Sequence, residues 1–426
     1  MSRFQIGAVA ICVALNAMDG FDVLSISFAS PGIAAEWGID RASLGIVLSM
    51  ELIGMAVGSL GLGGVADRIG RRPTILGCLA FMATGMFLAA TAPNLTLLAL
   101  CRLLTGVGIG GMLAAINAMA AEFSNRKRRS LAVTIMAAGY PMGAVLGGAI
   151  ASMLIAQFDW RAVFLFGGFV TAAFIPLVLW RLPESIEFLI HRPPAKALDR
   201  VNATMRRMGF ATVSRLPDPE PDAPRASFAN LFAPGIAATT VMLTLTYFFH
   251  IMTFYFVLKW IPKIVADMGF APAAAAGVLV WANVGGVTGS LLFSFLTRRF
   301  PLQLLVALSL LCASAMVIAF GRISPDLTEI TVMAAITGFF TNAVVVGLYA
   351  LIAQGFPTAL RASGTGFVIG VGRGGAALGP MAAGFLFALG YGLPVVTIVM
   401  AGGSLFGAVA IIALRGRAQS RAAATG

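Results

Sequence analysis

Charge is what this sequence has least of. Only 11% of its 426 residues are Asp, Glu, Lys or Arg, and 59% are hydrophobic; soluble domains carry about 25% charged residues. A water-soluble globular fold is thereby excluded. Cysteine is scarce too: Cys12, Cys78, Cys101 and Cys312 stand singly, without the paired spacing of a disulfide framework or a metal site. Histidine is scarcer still, His191 and His250 alone. Neither is accompanied by a nucleophile or a ligand cluster, which argues against an enzyme. Strand-like alternation of polar and apolar residues is absent, so an outer-membrane barrel is excluded as well. Bases outnumber acids, 29 to 17, yet they are spread over short loops and form no compact basic domain for nucleic acid.

Long apolar runs are what the chain does have. About 20 consecutive apolar residues cross a hydrocarbon core about 30 Å thick, and such runs recur from end to end. They predict an all-α membrane protein of twelve transmembrane helices, at 6–28, 44–65, 73–91, 95–121, 131–156, 162–181, 236–262, 274–296, 301–321, 328–353, 361–388 and 393–414. An even count puts both termini on one side. Arg3, the loops around Arg68 to Arg72, Arg126 to Arg129, Arg181 to Arg225, Arg298 and Arg299, Arg361, and Arg415 to Arg421 hold 22 of the 29 bases. That crowded side, with both termini, is expected to be cytoplasmic. The first helix lacks a small-residue cleavage site and is expected to be retained rather than removed as a signal peptide.

One polar stretch divides the series, giving an N-terminal six-helix bundle (1–182), a cytoplasmic linker (183–234) and a C-terminal six-helix bundle (235–426). The linker begins with a segment able to form an amphipathic helix and ends in the Pro-rich "LPDPEPDAP", expected to be exposed. "FSNRKRRS" and "FPTALRAS" share Phe, Arg and Ser at equal offsets after the fourth helix of each half, the trace expected of a duplicated transporter.

Against this apolar background "NAMDGFDVLSIS" stands out, because it puts Asp19 and Asp22 inside the first helix. A charge at the bilayer centre costs about 2.5 to 3.5 kcal/mol on insertion scales. At spacing i, i+3 the two share a face about 5 to 6 Å apart and titrate as a coupled pair able to carry a proton. Arg102, in "RLLTGVGIGG" of the fourth helix, lies at matching depth and needs a carboxylate or an anionic ligand. One aspartate is a possible partner; Glu51, equally deep in the second helix, is another, and would free the aspartates or add a protonation site. The plainer reading is a static ion pair holding the first and fourth helices together. The glycines after Arg102 and those of "GYPMGAVLGG" fit close helix packing.

"GGVADRIGRRP", with Gly63, Asp67, Arg68, Gly70 and Arg71 at fixed spacing, resembles the signature loop of the major facilitator superfamily. The resemblance implies two six-helix bundles around a central cavity, with Asp67 meeting the start of the eleventh helix near Arg361 to lock one conformation. Glu122, beside the basic run 126–129, is expected to join a cytoplasmic gate or a structural salt bridge rather than the pocket. A narrower resemblance, to the aromatic acid:proton symporter family, runs through "DGFDVLSISFASPGIAAEWGIDRASLG", "AAEFSNRKRRS", "RLPESIEFL", "KWIPKI" and "GFPTALRASGTGFVIGVGRGGAALGP". It implies that Asp19 and Asp22 are needed for transport and that Arg373, alone among glycines in "GVGRGG", serves substrate or coupling. A planar guanidinium there suits a carboxylate bidentately. Glu51, and Ala114 and Ala115 in the fourth helix, depart from that family's pattern; the alanines imply a larger or differently substituted substrate.

Tyr247, Phe254, Tyr255 and Trp281 are expected to stack on an aromatic ring, Asn283, Asn342 and Tyr349 to meet its substituents, and His250 to act near mid-membrane or to be a hydrogen-bonded core group. Lys259 is expected to snorkel at the outer end. The expectation is a multi-pass, monomeric, proton-coupled importer of a hydroxybenzoate-like or lignin-derived aromatic carboxylate in a bacterial inner membrane. It would use the proton gradient and no cofactor. The alternative is a proton-antiport exporter of amphipathic compounds.

Overall fold

In the computed structural model every regular element among the described residues, 1–125, 127–191, 196–217, 228–357 and 360–425, is helical. Arg126, Arg192, Arg225 and the linker stretch 218–227 lie outside the described residues. The helices are α1 (Arg3–Trp37), α2 (Arg41–Gly61), α3 (Gly63–Ile69), α4 (Arg71–Ala90), α5 (Leu95–Glu122), α6 (Arg129–Gln157) and α7 (Arg161–Arg181), then α8 (Ile186–His191) and α9 (Ala197–Met208). A 3-10 turn at Phe228–Phe232 leads into α10 (Ala237–Asp267), α11 (Pro272–Leu296), α12 (Leu302–Phe320), α13 (Leu327–Gly355), α14 (Arg361–Ala388) and α15 (Leu393–Thr425).

Among the described residues, 11 helical runs are long and apolar enough to cross a membrane, α2 and α3 counting as one. At 28 residues α14 has the length, but its glycines, Pro380 and Arg373 dilute its hydropathy.

The expected spans match these helices to within a few residues, except that α15 runs on to Thr425, past the expected end at 414, and except where local chemistry intervenes. α1 runs to Trp37, past the expected end at 28 and through Pro31. Proline removes the N–H that would bond the carbonyl four residues back. Here that carbonyl, of Ser27, accepts the Ser30 hydroxyl at 2.8 Å, and the helix continues. Pro141 in α6 is accommodated similarly: Asn16 Nδ2 donates to the Met136 carbonyl at 2.7 Å and to the freed Ala137 carbonyl at 3.4 Å. The expected second helix breaks after Gly61, and the signature loop itself coils into α3 before Gly70, at φ 109°, turns the chain.

Helix starts are marked by side-chain caps. The Leu97 N–H donates to Asn94 at 2.9 Å, and the Glu329 N–H to Asp326 at 2.9 Å. Asp40 caps α2 by accepting the Ser43 N–H at 2.6 Å. The Ser43 hydroxyl and N–H hold its carboxyl below the usual carboxylate range. In the linker α9 is amphipathic as expected, with Ala197, Val201 and Thr204 buried and Arg200, Arg206 and Arg207 exposed.

Packing divides the chain into two compact units. The first comprises Met1–Ser25, Met50–Ile150 and Gln157–Ala223; the second comprises Ile26–Ser49, Ala151–Ala156 and Pro224–Gly426. In the first, α4 packs on α5 and α7; in the second, α10 packs on α14 and α15 and α11 on α13. Glycine makes the closest approaches possible. A Cβ at Gly106 or Gly110 of α5 would overlap the Glu51 or Met55 carbonyl of α2, and one at Gly143 of α6 would overlap the Ala17 carbonyl of α1. Gly143→Leu should therefore force backbone movement and destabilise the purified protein by about 1 to 3 kcal/mol or more. Gly77→Ala, where a Cβ meets nothing within 4 Å, should stay within about 0.5 kcal/mol. Thermal unfolding in detergent checks both, and equal midpoints would contradict the close approach.

Candidate functional site

The first unit buries its acids together. Asp19 and Asp22 on α1 are 1% and 0% exposed, and Glu51 on α2 and Arg102 on α5 are both 0% exposed. Arg102 forms an ion pair with Glu51 Oε1, and the same Nη2 donates to the Asp22 main-chain carbonyl at 2.8 Å. Its Nη1 rests on Met86 Sδ at 2.9 Å, its guanidinium lies 5.4 Å from the centre of the Phe164 ring, and its Nε has no hydrogen-bond acceptor among the described residues. Of the two partners the sequence leaves open for the arginine, the structure gives Glu51.

The aspartates are left without donors. Neither carboxylate oxygen of Asp19 or of Asp22 has a hydrogen-bond partner among the described residues. Thr171 of α7 faces Asp22, but its hydroxyl is itself unsatisfied. Asp19 stands within electrostatic reach of Asp22 and Glu51. Buried polar groups are ordinarily hydrogen-bonded, so four carboxylate oxygens without a partner in one cluster make this the candidate site of the first unit.

A second polar cluster in the same unit gathers around Gly70. The Glu184 carboxylate accepts the first N–H groups of α4, from Arg71 at 2.9 Å and Arg72 at 3.1 Å, where the helix dipole favours an anion. Arg71 pairs with Glu122 and with Glu187 at 3.2 Å, and the Ser185 hydroxyl bonds both oxygens of Glu122 at 2.9 and 2.8 Å. Glu122 and Arg71 are thus brought together. Asp67, Arg68 and Arg361 are exposed, and Asp67 has no ion pair among the described residues. Glu184 was missed in the sequence; its signal was an acid following the proline that ends the sixth span.

In the second unit Tyr247 and Tyr349 join hands. The Tyr247 hydroxyl donates to that of Tyr349 at 3.3 Å, with ring centres 5.8 Å apart. Tyr247 is buried and Tyr349 is 45% exposed. The Tyr247 ring lies so close to Gly372 that no Cβ would fit there, and the half-buried Arg373 is within its electrostatic reach. A guanidinium is thus within electrostatic reach of a buried phenol whose hydrogen-bond partner, Tyr349, is exposed.

Other expected residues are placed elsewhere. His250, left open between a mid-membrane role and a hydrogen-bonded core group, has the geometry of the second: it is fully buried, with Nε2 on the Thr341 carbonyl at 3.0 Å and Nδ1 on Ser404 Oγ at 2.9 Å. A carbonyl only accepts, so Nε2 carries the hydrogen and Nδ1 accepts the serine hydroxyl, leaving the ring no free nitrogen. Asn283 is buried and bonds the Leu279 carbonyl of its own helix at 2.8 Å, and Asn342 bonds that of Gly338 at 3.3 Å. Phe254 is 8% exposed and packs edge-on against Tyr255, while Trp281 lies on an exposed face of α11.

Lys259 does not snorkel; it is fully buried beside Trp260. The physical reason is that α10 runs on through Pro262 to Asp267, which moves Lys259 two turns inside the helix. The helix ends instead at Asp267, which pairs with Lys263 and with Arg41 at 2.9 Å.

A family model described as Major Facilitator Superfamily matches residues 9–328. The chain is 31% identical over 425 residues to the gallate transporter of Pseudomonas putida, covering 99% of this chain and 94% of that one. It is 30% identical to the 4-hydroxybenzoate transporter PcaK of Pseudomonas putida, covering 92% and 88%. It is also 30% identical to the 3-(3-hydroxy-phenyl)propionate transporter of Escherichia coli, covering 96% and 94%. Among solved structures, a nucleoside transporter, NupG, shares the fold at TM-score 0.76 and 14% identity, covering 96% of this chain and 99% of its own. A D-xylose-proton symporter does so at 0.71 and 15%, covering 97% of each. From its signature loop, its helical fold and this family match, the chain belongs to the Major Facilitator Superfamily and is a membrane transporter, not an enzyme.

Proposed function

We propose that this transporter imports an aromatic carboxylate together with protons across a bacterial inner membrane. The observation that carries the coupling is the pair of buried aspartates whose carboxylates accept no hydrogen bond beside an arginine already matched by Glu51. The substrate class is supported by the aromatic-acid transporters to which the chain is similar along nearly its whole length and by the gathering of Tyr247, Tyr349 and Arg373. The architecture in this reading is twelve spans in two six-helix bundles, 1–182 and 235–426, joined by a cytoplasmic linker, 183–234, with both termini cytoplasmic. Bundles of this kind alternate access by rocking about a central site.

In the cycle, an aromatic acid enters with its carboxylate toward the planar fork of Arg373, while the aspartate pair takes a proton. Both leave inward after the bundles rock. The cluster of Arg71, Glu122 and Glu184, with Asp67, Arg68 and Arg361, serves the inner gate. Each charge crossing 100 mV is worth about 2.3 kcal/mol. One proton with one monoanion is electroneutral and gains only from the pH difference, about 1.4 kcal/mol per unit. The protein acts as a monomer and needs no cofactor beyond the proton gradient.

Proteoliposomes under an imposed inward proton gradient test this with a panel of labelled aromatic acids. Wild type should accumulate at least one of them and Asp22→Asn should not; expulsion of the acid against its gradient would establish the antiport exporter instead. Arg373→Lys keeps the charge and loses the fork. It should raise KM for the carboxylate about tenfold, equal to about 1.4 kcal/mol of binding. An unchanged KM would remove Arg373 from the substrate site.

A further inference from the structure

The aspartates stay available only because something else neutralises Arg102. We propose that Glu51 is the standing counter-ion of Arg102, a positioning residue that keeps the arginine from capturing Asp22. This rests on the proton-coupled reading above and adds the device that makes it work.

The geometry is specific. The α2–α5 contact is set by glycines, with Gly106, one turn after Arg102, seated against the Glu51 backbone and Gly110 against that of Met55. The close approach brings the Glu51 carboxylate onto the guanidinium with both side chains sealed from solvent. Nη2 is shared between Glu51 and the Asp22 main-chain carbonyl, so the guanidinium already lies at the Asp22 turn. Among the described residues its Nε lacks an acceptor and the Asp22 carboxylate, already within its electrostatic reach, lacks a donor.

A buried guanidinium stays charged and cannot be left unmatched. With Glu51 in place the pair is neutral and Asp19 and Asp22 remain to take the proton. Without it, the unmatched cation stands beside an orphaned carboxylate, and the two would close on each other. Asp22 would then be locked as an ion and lost to the cycle. The other polar or titratable groups of the cluster are Cys78 on α4, which faces Asp19, Cys101 beside Arg102 on α5, and Thr171 on α7. None carries a charge that could replace Glu51.

The test compares gradient-driven accumulation of a substrate established for wild type in three purified full-length proteins: wild type, Glu51→Gln, and the double variant Glu51→Gln with Arg102→Gln. The single variant should lower the accumulation ratio about tenfold or more, within the usual range of coupling between sites. The double variant, which removes cation and counter-ion together, should return to within about threefold of wild type, since neutral replacement of a buried ion pair is tolerated. A merely structural ion pair would also be relieved by losing both partners, so thermal unfolding is read alongside: capture of the cation by Asp22 should leave the midpoint of Glu51→Gln near that of wild type while accumulation falls, and a midpoint that drops and recovers together with accumulation would make Glu51 structural and overturn the proposal. Wild-type accumulation by Glu51→Gln, or a double variant that fails to fold or fails to accumulate, overturns the proposal. The double variant remains decisive even if the single one misfolds. Absence of gradient-driven uptake in wild type would instead sink the symport reading itself.

Discussion

A guanidinium buried in an apolar helix bundle must be neutralised, and in this protein that requirement is met by Glu51. Much else follows from the pairing. Because the carboxylate comes from α2, the glycines of α5 must let the two helices meet backbone to backbone. Because the arginine is matched there, the carboxylates of Asp19 and Asp22 form no ion pair with it, although its guanidinium lies at the Asp22 turn. An aspartate held by a permanent cation is a structural ion; one without a donor has a reason to exchange a proton. The static ion pair of the plainer sequence reading does exist, but it joins the second and fifth helices of the fold and leaves the two acids of the first outside it.

The two units hold chemically different equipment. The first has carboxylates with no donor; the second has Arg373 close to a tyrosine pair. The polar ends of the helices are handled by ordinary means. Glu184 caps α4 at the signature loop, and Asp267 ties Lys263 and Arg41 at the end of α10.

Much of this was legible in the sequence, and the rest was hidden for identifiable reasons. Helix positions follow from the length of apolar runs, which is a property of the chain alone, and α11, α12 and α14 lie within two residues of expectation. Helix ends were less readable, because Ser30 rescues the carbonyl that Pro31 orphans and carries α1 onward. That Asp19, Asp22 and Arg102 needed an explanation could be read from the cost of burying charge, and the structure does bury them. Which acid holds the arginine could not, since that depends on how closely α2 and α5 approach. For His250 the sequence could not decide between a titrating mid-membrane group and a hydrogen-bonded core group, because its two partners, from α13 and α15, are far away in the chain. Lys259 was misplaced by the same limitation that shortened α10.

Simultaneous recording of proton and labelled-acid fluxes in vesicles holding the wild-type protein, with protein-free vesicles as the baseline, tests the central claim most directly. Adding an aromatic acid outside, with no imposed gradient, should drive protons inward together with the acid and at a fixed ratio to it. Acid entry with no accompanying proton flux, or with protons moving outward, would contradict the account.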